Sequence, residues 1–99
     1  KLKQIAMASI KDLKKEINTI TSDIITEAYV RKMLFDGVGD EKFKDVVRKS
    51  MDLRNELIAR VNNPDGKEDS KLIKAYFRKV REDMEKKFSE LAEEVNQLK

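Results

Sequence analysis

The chain has 99 residues, a length that corresponds to one domain over residues 1–99. Charged residues make up 41% of it with a net charge of only +3, which excludes the strong basic excess typical of nucleic-acid-binding domains. Because the chain has no histidine and no cysteine, it cannot by itself form serine–histidine triads, cysteine nucleophiles, disulfides or thiolate zinc sites.

Two clusters of helix-breaking residues, at 36–40 and 62–66, divide the chain into three segments. Each segment repeats its apolar residues with helical spacing. The sequence therefore predicts an all-α fold, an up-down-up bundle of three long helices at about residues 2–35, 40–62 and 69–98.

The first segment carries an apolar seam with a 3.5-residue repeat, which predicts packing against other helices at a shallow crossing angle. The members of this seam are Ala6, Ile10, Leu13, Ile17, Ile20 and Ile24. Residues 18–23 have low helix propensity because they are β-branched or short and polar. A break near Ser22 would give four helices instead of three, although the seam crosses this stretch in phase.

The second and third segments have clear starts and apolar faces. Asp40 is predicted to be the N-cap of the second helix, which Pro64 and Gly66 terminate. Its apolar face consists of Phe43, Val46, Val47, Ser50, Leu53, Leu57, Ile58 and Val61.

The third helix is predicted to begin at Asp69 or Ser70. Its seam consists of Ile73, Phe77, Val80, Met84, Phe88, Leu91, Val95 and Leu98.

The second segment is the shortest, and this predicts apolar overhangs at opposite ends of the bundle. The overhanging residues would be Leu2, Ile5 and Ala6 at one end and Leu91, Val95 and Leu98 at the other. Uncovered apolar seams favour a second chain, most often related by two-fold symmetry. We therefore predict a homodimer that uses these six residues, with a helix of another protein as an alternative partner.

Charges in the third segment are sorted by sign. Residues 71–81 carry five bases and no acid, whereas residues 82–94 carry six acids and two bases. This order opposes the helix dipole, and an antiparallel partner would pair the two halves.

Four of these bases form one stripe by their spacing, and we call this set the basic stripe: Lys71, Lys74, Arg78 and Arg81. Bases interleaved with aromatic residues bind single-stranded nucleic acid by charge and stacking. Tyr76 and Phe77 lie within the stripe, although Phe77 also belongs to the apolar seam. The stripe therefore predicts a phosphate or nucleic-acid contact as an alternative function.

Two patterns resemble parts of metal sites. One is the middle of an EF-hand calcium loop, matched by Asn63, Asp65 and Gly66. Valine and leucine occupy the first and last ligand positions of that loop, so both end ligands are absent. The other pattern is an acidic cluster on one helix surface, Glu90, Glu93 and Glu94. Exposed glutamates are common on amphipathic helices, and we predict no metal, cofactor or catalytic residue.

The long–short–long order of the helices, together with Asp45-x-x-Arg48 in the second segment, resembles the all-helical chorismate mutases. The resemblance implies an enzyme that clamps a dicarboxylate between a first-helix arginine and a last-helix glutamine. The nearest counterparts here depart from that pattern, because Arg31 lies near the end of its helix and Gln97 near the end of the sequence.

We therefore expect a small cytoplasmic helical bundle that acts as an interaction or structural module through its helix faces. No apolar run approaches the roughly 18 residues of a membrane span, and the first residues lack an apolar signal core. The second hypothesis is a nucleic-acid-associated regulatory protein that uses the basic stripe. A chorismate-mutase-like enzyme is the third.

Overall fold

The computed structural model describes residues 2–64 and 69–99, with side chains described in residues 10–64 and 69–99. It contains three helices, α1 (Leu2–Leu34), α2 (Asp40–Asn62) and α3 (Ser70–Asn96). The predicted all-α bundle of three helices is confirmed, and the described residues include no strand. α1 ends one residue, and α3 two residues, before the predicted boundary.

α1 is one unbroken helix of 33 residues, so the alternative of a break near Ser22 is wrong. The Thr21 hydroxyl, which is buried, donates to the Ile17 carbonyl at 2.7 Å and is thereby satisfied inside the helix. Ser22 is exposed, where water can satisfy its short polar side chain. The core residues Ile17 and Ile24 stay in phase across the stretch, so packing outweighs its low helix propensity.

The helix starts agree with the sequence at α3 and differ by one residue at α2. Asp69 caps α3, because its carboxylate accepts from the Lys71 backbone N–H at 2.8 Å. Gly39 is the N-cap of α2, so the prediction that Asp40 caps this helix is wrong. Asp40 is instead the first helical residue, and its carboxylate forms an ion pair with Lys32 at 2.6 Å.

The core runs along the axis of the bundle and is built from the predicted seams. α1 contributes Leu13, Ile17, Ile24 and Ala28, α2 contributes Val46, Leu53, Leu57 and Val61, and α3 contributes Val80, Met84, Phe88, Leu91 and Val95. The helices are otherwise rich in charge. Across residues 2–64 and 69–99, none of them is long and apolar enough to cross a membrane.

The helix register follows from side-chain contacts. α2 runs antiparallel to α1, because Arg54 donates to Asn18 at 2.8 Å while Lys32 pairs with Asp40 near the connecting loop. α3 runs parallel to α1 with a constant offset, since Arg81–Glu16 and Arg31–Asn96 both join residues 65 apart. The bundle is elongated, with extents of 53 × 17 × 16 Å.

This register shows that the predicted overhangs at opposite ends are wrong. Leu91, Val95 and Leu98 are buried within the chain, with only 6%, 2% and 5% of each exposed. α3 begins beside the first turns of α1, beyond the end of α2, and it ends level with the α1–α2 loop. The two unmatched helix ends are therefore both amino-terminal and lie at the same end of the bundle. Leu2, Ile5 and Ala6 belong to residues 2–9, whose side chains lie outside the described part.

Candidate interaction surfaces

The loop end of the bundle is closed by contacts between α1 and the last residues of the chain. The Arg31 guanidinium donates to the carbonyls of Asn96 at 3.1 Å and Leu98 at 3.3 Å. Gly37 approaches the same segment so closely that an added Cβ would lie 2.7 Å from the Lys99 carbonyl oxygen. These contacts hold the last turn of α3 against α1, which explains why Leu98 is buried.

Beside this closed end, the last turn of α1 and the residue after it carry an exposed apolar surface that we call the terminal patch: Val30, Met33, Leu34 and Phe35. Met33 is 81% and Leu34 71% exposed, and the other two are about two-fifths exposed. Val30, Met33 and Leu34 lie on one helix surface because their spacing is i, i+3 and i+4. An apolar cluster of this kind on a charge-rich protein is typical of an interaction site.

None of the six predicted self-association residues belongs to the terminal patch. A sequence signal for it exists, because Val30, Met33 and Leu34 form a helical apolar cluster that is out of phase with the seam through Ile24 and Ala28. Two apolar surfaces on one helix indicate two different contacts. The seam accounts for the core, and the second cluster is left for a contact outside it.

The structure places all four residues of the basic stripe on the exposed side of α3. Arg81 forms an ion pair with Glu16 at 3.2 Å, whereas Lys74 and Arg78 form no ion pair with another described residue. Tyr76 and Phe77 are half-buried against the core, and the Tyr76 hydroxyl donates to the Arg60 carbonyl at 2.9 Å. In this conformation the two aromatic rings are therefore not available to stack on nucleic-acid bases.

The stripe continues into a surface that we call the α1–α3 face, defined by Lys74, Arg78, Arg81 and Glu85 on α3 and by Glu16, Asp23 and Glu27 on α1. Asp23 and Glu27 line a shallow groove together with Ala92 and Asn96 of α3. Glu85 lies one turn after Arg81 on the same side of α3. Bases dominate the amino-terminal half of this face, and the acids Glu85, Asp23 and Glu27 lie further toward the α1–α2 loop.

The opposite groove, between α2 and α3, is lined by charges, most of which pair with one another. Three ion pairs cross it: Lys49–Glu94 at 2.9 Å, Lys87–Glu56 at 3.2 Å and Arg60–Asp83 at 3.0 Å. Hydrogen bonds from Lys79 and Arg60 lower the pKa of Asp83, and those to Glu94 and Asp45 raise the pKa of Lys49. These ion pairs hold α2 and α3 together, and Asp52 and Glu90, which form no ion pair with another described residue, leave the groove with a net negative charge.

Two residues of the predicted acidic cluster, Glu90 and Glu94, line that groove. Glu94 pairs with Lys49, and Glu90 lines the groove further along α3. Among the described residues, no three acidic side chains lie close enough to hold a metal ion. Asp65 and Gly66 of the partial calcium loop lie outside the described residues.

The residues that resemble the chorismate mutase clamp are engaged in contacts within the chain. Arg48 forms an ion pair with Asp45 on the same helix. Hydrogen bonds from Lys49 and, second, from Arg48 lower the pKa of Asp45. Arg31 is engaged by Glu27 and by the carbonyls at the end of α3. Gln97 is exposed, with its backbone N–H bonded to carbonyls of α3. Arg31 therefore lies next to Gln97, but its guanidinium is used by Glu27 and by carbonyls of the chain, and Arg48 is paired on α2.

Comparison with family models, with curated proteins and with solved structures found no match. Function must therefore be inferred from the surfaces of the bundle, chiefly the terminal patch and the α1–α3 face.

Proposed function

We propose that this chain is a small cytoplasmic helical-bundle module that associates with a second copy of itself through helix faces. The terminal patch supports this proposal most directly, because Met33 and Leu34 expose most of their apolar surface at the end of a covered core. Burial of a large aliphatic side chain stabilises a contact by about 1.5–3 kcal/mol. The patch thus supplies affinity that the predicted residues Leu91, Val95 and Leu98 cannot, since those are used within the chain.

A second copy is the partner that the chain's own charges match best. The α1–α3 face carries a basic half and an acidic half, so the same face turned end for end presents opposite charges to it. Such self-complementarity is what a two-fold contact requires. The cytoplasmic location remains a prediction from the sequence.

Sedimentation equilibrium of the double variant Met33→Asp/Leu34→Asp tests this function. We expect the wild type to dimerise at tens of micromolar and the variant to be monomeric with an unchanged circular dichroism spectrum. Met51→Asp is the control, because Met51 is a partly exposed methionine on α2 outside the patch. A wild type that stays monomeric at these concentrations would contradict the proposal.

The basic stripe supports a second candidate, a nucleic-acid-associated regulatory role. Lys74 and Arg78 are exposed and form no ion pair within the described residues, so both are available to phosphates. We expect binding of a labelled single-stranded oligonucleotide, measured by fluorescence anisotropy, to weaken steeply between about 50 and 200 mM salt. Lys74→Gln/Arg78→Gln should abolish it, and Lys42→Gln/Lys44→Gln on α2 is the matched control.

A further inference from the structure

We propose that the groove between α1 and α2 binds the sugar–phosphate backbone of single-stranded nucleic acid near the amino-terminal end of α1. Arg54 of α2 anchors the strand, and Lys11 and Lys14 of α1 extend the contact along the bundle. We call these three residues the Arg54 site. This inference rests on the second candidate function and adds a contact to it, because the Arg54 site lies on the other side of α1 from the basic stripe.

The Arg54 guanidinium is held in place by neutral partners. Its Nε donates to the side-chain oxygen of Asn18 at 2.8 Å, and its Nη1 donates to that of Asn55 at 2.9 Å. Four of the other five arginines pair with a carboxylate instead: Arg31, Arg48, Arg60 and Arg81. Arg54 therefore keeps an uncompensated positive charge, and three of its five N–H donors remain unused by these contacts. An oriented guanidinium of this kind suits a bidentate contact with a phosphate.

Lys11 and Lys14 extend the positive charge along the same side of α1. Asn18 faces α2 because it accepts from Arg54, and the two lysines precede it by seven and four residues, which places them on its side of the helix. At 1.5 Å per residue, they lie about 10 and 6 Å from Asn18 along the axis. The described lysines that form ion pairs are Lys32, Lys49, Lys79 and Lys87. Neither lysine of the Arg54 site is among them.

The acids of α1 and α2 near the Arg54 site lie toward α3 or toward the loop. On α1, Glu16 pairs with a base of α3, and Asp12 lines a shallow groove together with Glu16. On α2, Asp52 and Glu56 line the groove shared with α3. Asp23 borders the surface at its end nearest the α1–α2 loop. Repulsion among the three cations is thus left for a bound anion to relieve.

The placement of the cations favours a flexible single strand. With the offset of 65 residues, Arg78 of the basic stripe lies level with Leu13, so the stripe and the Arg54 site flank α1 at the same end of the bundle. A flexible strand can pass around α1 and reach both groups, whereas a flat membrane meets one side of a bundle 17 Å wide. The surface is open, and small phosphate compounds favour an enclosed pocket.

Substitution of Arg54 tests the site through the salt dependence of binding. The probe is a labelled oligothymidylate of about 20 nucleotides, and fluorescence anisotropy is measured between about 50 and 200 mM salt. We expect Arg54→Gln to weaken binding about 5- to 10-fold at the lower salt concentration and to reduce the salt slope by about 0.7, the value of one phosphate contact on a single strand. Arg48→Gln makes the same charge change on α2, where Arg48 already pairs with Asp45, and should leave both quantities unchanged.

Substitution of Asn18 separates charge from structure. Asn18→Asp keeps Arg54 in place but gives it a carboxylate partner, so we expect oligonucleotide binding to weaken at least as much as in Arg54→Gln. A merely structural role of this contact would predict no loss of binding, since the new ion pair holds Arg54 as well as the amide did. Thr26→Asp adds the same charge at an exposed position of α1 nearer the loop and is the control. Circular dichroism checks that each variant is folded.

The outcomes distinguish this site from the functions proposed above. Unchanged binding in both Arg54→Gln and Asn18→Asp, with loss in Lys74→Gln/Arg78→Gln, would overturn the Arg54 site and leave the role of the basic stripe intact. A wild type that binds no oligonucleotide would overturn both. Arg54-dependent binding to phosphatidylserine vesicles without oligonucleotide binding would assign the site to a membrane and overturn the proposal. Self-association is measured separately by sedimentation, in which Arg54→Gln should behave as the wild type.

Discussion

Arg31 joins the carboxyl end of α1 to the carboxyl end of α3. The last carbonyls of a helix have no partner within it, and a cation there also interacts favourably with the helix dipole. The Arg31 guanidinium donates to the carbonyl of Asn96, the last residue of α3, and to that of Leu98 just beyond it, and the Arg31 side chain is only 21% exposed. One side chain therefore fixes the end of the third helix.

We expect Arg31→Gln to lower the free energy of unfolding by about 1–2 kcal/mol, because it removes charge-assisted hydrogen bonds at a partly buried site. Arg48→Gln is the matched control, since Arg48 pairs only with a neighbour on its own exposed helix surface, and should cost less than about 0.5 kcal/mol. Urea denaturation of the three proteins measures both values. Equal losses would show that Arg31 does not secure α3.

Asp83 gives the bundle a predictable response to acid. Lys79 and Arg60 lower its pKa from the ordinary 3.8, so folding favours the ionised form. The resulting stabilisation is complete above the unfolded pKa and is lost as the pH falls through the lower folded pKa. We expect Asp83→Asn to be less stable than the wild type at pH 7 and this difference to shrink below about pH 4.

Urea midpoints between pH 2 and pH 7 measure the effect. Asp52→Asn is the control, because Asp52 is exposed on α2 and forms no ion pair with another described residue. Its midpoints should follow those of the wild type. A constant difference between Asp83→Asn and the wild type across this range would contradict the linkage.

At the scale of the helices, most of the fold could be predicted because the relevant signals are local. Breakers and apolar periodicity located all three helices, and α3 begins at Ser70, one of the two predicted starts. The propensity of residues 18–23 suggested a break, but the seam through Ile17 and Ile24 is buried and keeps α1 whole. Asp40 is not the N-cap of α2. Its carboxylate pairs with Lys32 on another helix, and the local sequence pattern does not reveal such a contact.

The buried face of α2 carries a further prediction about stability. Leu57 is fully buried at the centre of this face. Leu57→Asp should unfold the bundle because it buries an unpaired charge, and Leu57→Ala should cost about 2–5 kcal/mol. Asn55→Asp introduces the same charge on the exposed side of α2 and should leave the helical spectrum and melting temperature almost unchanged. A folded Leu57→Asp variant would contradict the assignment of this face.

At the scale of the whole molecule, the register of the three helices could not be predicted from the sequence. Helix lengths are local, but the starting level of α3 depends on where the chain after residue 62 places it and on which carbonyls Arg31 binds. α3 begins nearer the amino-terminal end of α1 than the helix lengths predicted. Leu91, Val95 and Leu98 therefore belong to the core and not to a surface for self-association. The terminal patch was missed for the related reason that its members lie outside the seams.

Leu98 and Leu72 distinguish this register from one with overhangs at opposite ends. Leu98 is 5% exposed against α1, whereas Leu72, near the start of α3, is 56% exposed. We expect Leu98→Asp to lower the free energy of unfolding by about 1–3 kcal/mol, since it places a charge where the last turn packs. Leu72→Asp adds the same charge at an exposed position and should change it by less than about 0.5 kcal/mol. Urea denaturation at low micromolar concentration separates these effects from association. If α3 instead projected past the α1–α2 loop, Leu98→Asp would be tolerated as well as Leu72→Asp, and the closed end held by Arg31 would not exist.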